Sequence, residues 1–247
     1  MVDHTHALSF GAAASDYDRF RPTYPEEAVR WALDGLSDAA QVVDLGAGTG
    51  ILTRVVRALG HRVLPVEPDP GMRAQLDAAT PGVTALTGSA EAVPLPAGAA
   101  DAVLVGQAYH WFDKERAHAE IARVLRPGGT FAPIWNVRDD QAAGWVSDLT
   151  RIAHLGDNSA DLLEQVTGFG PAFGPVEMAE FAHRTLLTPD ELLGMLHTRS
   201  HWLTAPAKQR EEIDREVGEL LASHPDLAGR QTFELPYRTL TFRARRR

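Results

Sequence analysis

The chain has 247 residues, no cysteine, and 33 acidic against 24 basic side chains, for a formal net charge of −9 at pH 7. At 44% hydrophobic and 23% charged residues it is an ordinary globular composition, long enough for one large α/β domain. Without thiols there are no disulfides, thiolate zinc sites or cysteine nucleophile, and a pI of about 5.5 argues against DNA, RNA or an anionic membrane surface as partner.

Met1 to Leu8 is polar, with no apolar stretch of signal-peptide length, and no apolar run spans a bilayer, so the cytoplasm is the expected compartment. Pro25, followed by Glu26 and Glu27 and by Val29, Trp31, Ala32 and Leu36 on one face, predicts a helix over 25–36. Residues 41–45 read as a strand running into glycines. Residues 49–59 then return to helical spacing and stop at Gly60. Strands follow at 62–66, 83–86, 100–105 and 130–136, with helices at 70–79 and 114–125 between them. Strands alternating with helices imply parallel pairing through right-handed crossovers.

After Asp139 the pattern changes. Residues 143–166 read as helical with a break near 156–159, and 168–175 as a glycine- and proline-rich loop. A strand is expected at 175–187, helices at 189–199 and 206–223, and a last strand at 232–242. Arg243, Arg245, Arg246 and Arg247 form the one dense basic run and read as a solvated, frayed tail.

The strongest signal is Val42-Val43-Asp44-Leu45-Gly46-Ala47-Gly48-Thr49-Gly50, a strand ending in alternate glycines before a helix. Such a strand end is where open parallel sheets bind ligands, and glycine lets a ligand approach the backbone. The dinucleotide pattern GxGxxG fails because its third glycine falls on Ile51, and the Gly-Lys-Ser/Thr ending of a phosphate loop is absent. Asp44 sits poorly beside a pyrophosphate and well beside a positive amino group. S-adenosylmethionine (SAM) carries an ammonium, a sulfonium and no phosphate, so it is favoured over NAD. Glu67 closes the second strand, where a carboxylate accepts from both ribose hydroxyls. Asp69, before Pro70, reads as the start of the next helix.

Together these residues resemble class I SAM-dependent methyltransferases of the type 11 group, over roughly residues 10–136 by motif placement. The motifs are VVDLGAGTG, VEPDPGM, TGSAEAVPLP, GQAYHWFD and LRPGGTF. Tyr109-His110-Trp111-Phe112 and the run from Tyr17 to Pro25 are most similar to the trans-aconitate methyltransferase-like branch. The resemblance implies an α/β, doubly wound, Rossmann-like sheet of seven strands with the last antiparallel, under N-terminal lid helices. It divides the single domain 1–247 into a lid (1–40), a SAM-binding core (41–138) and a substrate-side elaboration (139–247).

The implied cofactor contacts are Arg21, Asp44, Gly46, Ala47, Gly48, Gly50, Glu67, Pro68, Met72, Ser89, Ala90, Glu91 and Gln107. Ser89 is a departure, because the family often has an acid there for the adenine amine. Tyr17, Tyr24, Tyr109, Trp111 and Arg199 fall to the substrate side. The tyrosines read equally as packing residues, and Arg199 as a cation at a helix end. His110 is the candidate general base, with an ordinary pKa near 6.5, or else fixes its loop by packing on Trp111. No metal site is expected. His4 and His6 sit near the terminus, and His197 and His201, four apart, lack the glutamate of a zinc-protease helix. The expected activity is methylation of a carboxylate or hydroxyl oxygen on a small organic molecule, with Arg21, Arg138 and Arg199 as available cations. The rivals are a dehydrogenase, a non-catalytic nucleoside-binding protein and a SAM enzyme of another reaction type.

Overall fold

A computed structural model describes residues 14–153 and 166–247, apart from the side chain of Ser200. Its strands are β1 (Gln41–Leu45), β2 (Arg62–Val66), β3 (Ala100–Gly106), β4 (Leu125–Arg138), β5 (Glu177–Leu187) and β6 (Phe233–Arg245). They form one sheet in the order β2-β1-β3-β4-β6-β5. The first four are parallel, and β6 runs antiparallel between β4 and β5. The helices are α1 (Ala14–Phe20), α2 (Glu26–Leu33), α3 (Ile51–Ala58), α4 (Pro70–Ala79), α5 (Lys114–Val124), α6 (Gly144–Ile152), α7 (Pro189–His197), α8 (Ser200–Thr204) and α9 (Ala207–Ser223). None of them is long and apolar enough to cross a membrane.

Strand side chains alternate between faces, so β1 feeds two cores at once. Val42 packs with Val29 of α2 and Leu52 and Val56 of α3, while Val43 packs with Ile121 of α5 and Phe131 of β4. Burying each such aliphatic side chain is worth about 1.5–3 kcal/mol. A third core joins α6, α7 and α9 to Leu187 of β5 and Leu235 of β6.

Two expectations are corrected. The sheet has six strands, because 83–86 meets β2 only at a single bridge between Val66 and Leu86. Leu86 N–H donates to Pro65 O at 2.9 Å, and Glu67 N–H donates to Leu86 O at 3.0 Å. The next rung would need an N–H at Pro65, which proline lacks, and Ala85 N–H turns instead to the Asp77 carboxylate at 3.0 Å.

The basic run is no frayed tail, since β6 continues through Arg245. The Arg243 guanidinium lies 4.1 Å from the Trp31 ring centre and pairs with Glu177 at 2.8 Å. Arg245 donates to Thr130 Oγ1 at 2.6 Å. Arg246 N–H donates to Gly129 O at 2.8 Å, and Arg247 N–H to Ala172 O at 2.9 Å. The residue types suggested solvent; the unpaired edge of β4 decided otherwise. Of the helix expected over 143–166, α6 is present and 154–165 lies outside the described residues, as do His4 and His6.

Candidate functional site

The loop after β1 carries three glycines with positive φ: 72° at Gly46, 55° at Gly48 and 85° at Gly50. Gly46 and Ala47 N–H both donate to Val66 O, at 2.8 and 3.1 Å, which ties the loop to β2. The glycines differ in surroundings. A Cβ at Gly46 would lie 2.8 Å from Ala108 Cβ, and one at Gly50 would lie 2.7 Å from Leu76 Cγ. A Cβ at Gly48 would meet nothing within 4 Å. The outer two glycines are needed for packing, and the middle one borders open space.

Two carboxylates converge on this loop. Asp44 is 1% exposed; its Oδ2 accepts from the Thr53 hydroxyl at 2.6 Å, and its buried Oδ1 has no hydrogen-bond partner. Burial raises its pKa to about 7, against the Thr53 hydrogen bond and Arg54; the charge of Glu67 raises it further. Buried Glu67 accepts Gly48 N–H at Oε2 and Asp69 N–H at Oε1, both at 2.9 Å. Burial pushes its carboxyl up while those two amides hold it down. Asp69 caps α4, accepting from Gly71 and Met72 N–H at 2.7 and 3.0 Å. Met72 is buried and Pro68 is exposed beside this cap.

At the end of β3, Gln107 is the one non-glycine residue with positive φ (59°) among the described residues. Holding it there costs of order 1–3 kcal/mol, a kind of strain that clusters at functional sites. Its amide Nε2 donates to Asn136 O at 3.0 Å. Asn136 in turn donates to Thr23 O at 2.9 Å and accepts from the Thr239 hydroxyl at 2.7 Å, joining β3, β4, β6 and the N-terminal segment.

That segment reaches the glycine loop. A Cβ on Gly106 would lie 2.5 Å from the Tyr24 hydroxyl, so only glycine admits the buried Tyr24 ring. Burial pushes the Tyr24 phenol well up, and Tyr17 and Asp44 add to it. Asp18 pairs with Arg54 at 2.5 Å. Phe20 fills the space a side chain at Gly194 of α7 would need. Arg21 donates from Nε to Thr198 Oγ1 and from its terminal nitrogen to Thr198 O, both at 2.9 Å, and lies 4.6 Å from the Tyr17 ring centre. Arg21 therefore ties the N-terminal segment to the end of α7.

The turn Tyr109–Trp111 separates its residues. His110 is exposed and packs on half-buried Trp111, with ring centres 4.8 Å apart. Tyr109 is 0% exposed, shares a 2.8 Å hydrogen bond with His118 Nε2, and stands among Phe112, Phe131, Trp135 and Phe169. This corrects its placement beside the substrate: the hydroxyl is satisfied inside the core. Ser89 and buried Ala90 lie in a tight turn in which Ala92 N–H donates to Ser89 O at 3.2 Å. Glu91 accepts Asp113 N–H at 3.0 Å, fixing that turn to the start of α5. Arg199 is half-buried at the start of α8. Thr53 and Asn136 went unnoticed in the sequence; of these only Asn136, a lone amide in an apolar strand, carries a signal.

A family profile described as the methyltransferase domain matches residues 43–132. An uncharacterised methyltransferase of Mycobacterium tuberculosis is 43% identical over 238 residues, 96% of each chain. A malonyl-[acyl-carrier protein] O-methyltransferase of Serratia marcescens is 37% identical over 128 residues, 50% of this chain and 49% of that one. Among solved structures, a protein described as a type II methyltransferase from Anaeromyxobacter dehalogenans superposes with a TM-score of 0.69 at 25% identity, over 92% of this chain and 98% of that one.

Proposed function

The chain belongs to the SAM-dependent methyltransferases, and from that premise we propose that it methylates an oxygen, carboxylate or hydroxyl, of a small organic molecule. The residues present fit SAM. Asp44 Oδ1 is an acceptor with no partner, and two buried carboxylates beside the glycine loop favour a cation. The space at Gly48 admits the ligand backbone-close. A carboxylate has about four lone-pair sites, so Glu67, with one amide on each oxygen, retains capacity for ribose hydroxyls. Ser89, Ala90 and Glu91, in the turn fixed to the start of α5, are the residues this reading assigns to the adenine ring. When bound, SAM supplies an electrophilic methyl on a sulfonium.

The observation that carries the oxygen acceptor is His110, exposed on the turn that follows the strained Gln107 and backed by Trp111. From there the imidazole takes the proton of a hydroxyl acceptor; a carboxylate acceptor needs no base. The net charge of −9 disfavours polyanionic acceptors. The half-length likeness to an O-methyltransferase supports the same reading, as does the motif resemblance to the trans-aconitate branch.

The test is turnover against a panel of small acids and alcohols, with pH–rate profiles for wild type and His110→Gln. With a hydroxyl acceptor, the substitution is expected to lower the rate about 10²–10⁴-fold and remove an imidazole-like ionisation. With a carboxylate acceptor the two profiles coincide. Activity confined to protein, DNA or RNA overturns the proposal.

A further inference from the structure

The outer edge of β5 is the place where this sheet stops: among the described residues no strand pairs with it. Its register with β6 is unbroken over eleven residue pairs, so no bulge twists the edge away. The strand EMAEFAHRTLL contains no proline, lysine or glycine. Isolated chains often blunt such an edge with a proline, a lysine or a bulge, and here the charges are instead an opposite-sign pair, Glu180 and Arg184. The even-numbered side chains Met178, Glu180, Ala182, Arg184 and Leu186 are all exposed, whereas 179, 181, 183 and 185 are half-buried; on that face Phe181 meets Trp31 of α2. Met178 and Leu186, at 47% and 64% exposure, are the exposed large hydrophobics of the described residues.

These five residues read the same way under a two-fold axis. When an antiparallel copy is centred on Ala182, Met178 faces Leu186, Glu180 faces Arg184, and Ala182 faces Ala182. Each copy thus meets two opposite-charge pairs, two apolar pairs and one small pair at the axis. Antiparallel edges add strand to strand through backbone hydrogen bonds, and opposed side-chain pairs set the register. A two-fold contact must be complementary to itself, as this pattern is.

We propose that β5 is the dimer interface of this protein: two copies pair β5 to β5 across a two-fold axis at Ala182, joining their sheets into one of twelve strands. The occupant is a second copy of the chain, identified by the charge pattern Glu180–Ala182–Arg184 and its apolar flanks.

Sedimentation equilibrium of the full chain is expected to show a dimer. Reversing one charge, Glu180→Arg or Arg184→Glu, sets like charges opposite each other at two places and is expected to weaken the dimer roughly tenfold or more. Reversing both restores it. Within one chain Glu180 meets Arg238 at 3.5 Å and Arg184 meets Glu234 at 2.8 Å. The double reversal leaves both of those contacts repulsive, so recovery reports only the contact between copies. The register has its own test, because the chain has no cysteine. Opposed residues at an antiparallel axis have Cα atoms about 4.5–5.5 Å apart, within disulfide reach. Ala182→Cys is expected to cross-link on mild oxidation, and Glu180→Cys is not. Circular dichroism confirms that each variant is folded. A wild type that stays monomeric at about 100 µM, dimers indifferent to both single reversals, or cross-linking through position 180 and not 182 each overturn the proposal.

Discussion

At one end of the sheet, β2, β1 and β3 are five, five and seven residues long; at the other, β4, β6 and β5 run fourteen, thirteen and eleven. The short parallel strands end together, and the chain leaves each through a loop: the glycines after β1, Glu67 after β2, Gln107 after β3. Carboxylates and strained backbone collect there because parallel crossovers bring every strand end to the same edge. The long strands, where β6 runs antiparallel between β4 and β5, gather no such edge. Their polar side chains pair along the strands, as Arg243 does with Glu177 and Arg245 with Thr130. One end concentrates chemistry at a line of termini, and the other spreads charge over a surface.

This difference is exposed most sharply inside the glycine loop itself. Gly48→Val places a side chain in open space, though at a φ of 55° that strains the backbone, and is expected to weaken SAM binding on the order of a hundredfold or more, with a smaller loss of stability than at Gly50. Gly50→Val drives the same side chain into Leu76 at a φ of 85°, and is expected to destabilise the fold by about 1–3 kcal/mol before any ligand is added. Calorimetry with SAM beside thermal denaturation separates the two. Equal losses of binding and stability in both variants break the distinction.

The next effect is electrostatic. Asp44 binds its proton more tightly folded, at a pKa of about 7, than an ordinary unfolded carboxyl near 3.9. The folded state therefore holds more protons between those values, and unliganded stability falls as pH rises from about 4 to 7, by about 3 kcal/mol from this group. Asp44→Asn is expected to flatten that slope. A cationic ligand favours the ionised carboxylate, so SAM affinity rises over the same window and binding releases a proton. Calorimetry in buffers of different ionisation enthalpy measures it, and proton uptake on binding refutes it.

The smallest effect belongs to the far end. Arg243→Ala removes the guanidinium from Trp31 and Glu177 and is expected to cost about 1–2 kcal/mol of stability. SAM affinity should not change, and a shift in it would show that the two ends are coupled.

The short-strand end was largely legible in the sequence. Its signals are local: Val42 to Leu45 running into glycines, Asp69 before Pro70, Glu67 at a strand end. The loss of the seventh strand was written there too, in Pro65, but reading it required knowing which way that residue's missing N–H points. Tyr109 and the arginine run misled for a common reason. A tyrosine beside the turn that carries His110 and a cluster of arginines at a terminus suggest exposure by residue type, while their burial is decided by His118 and by the edge of β4, distant in the chain. Arg21 was noticed, yet its partner Thr198 lies 177 residues away, and no local pattern announces such a pair.

Gly48 and Gly50 also keep different records of descent. Selection on the fold alone preserves Gly50, because Leu76 occupies the space a side chain would need whether or not the protein ever meets its cofactor. Nothing in the unliganded chain guards Gly48 in that way beyond its backbone angle. In a lineage that kept this fold and gave up methyl transfer, Gly48 would drift first and Gly50 would persist. A descendant bearing a bulky residue at the middle glycine, between two intact ones, would have retired from the chemistry while keeping its shape.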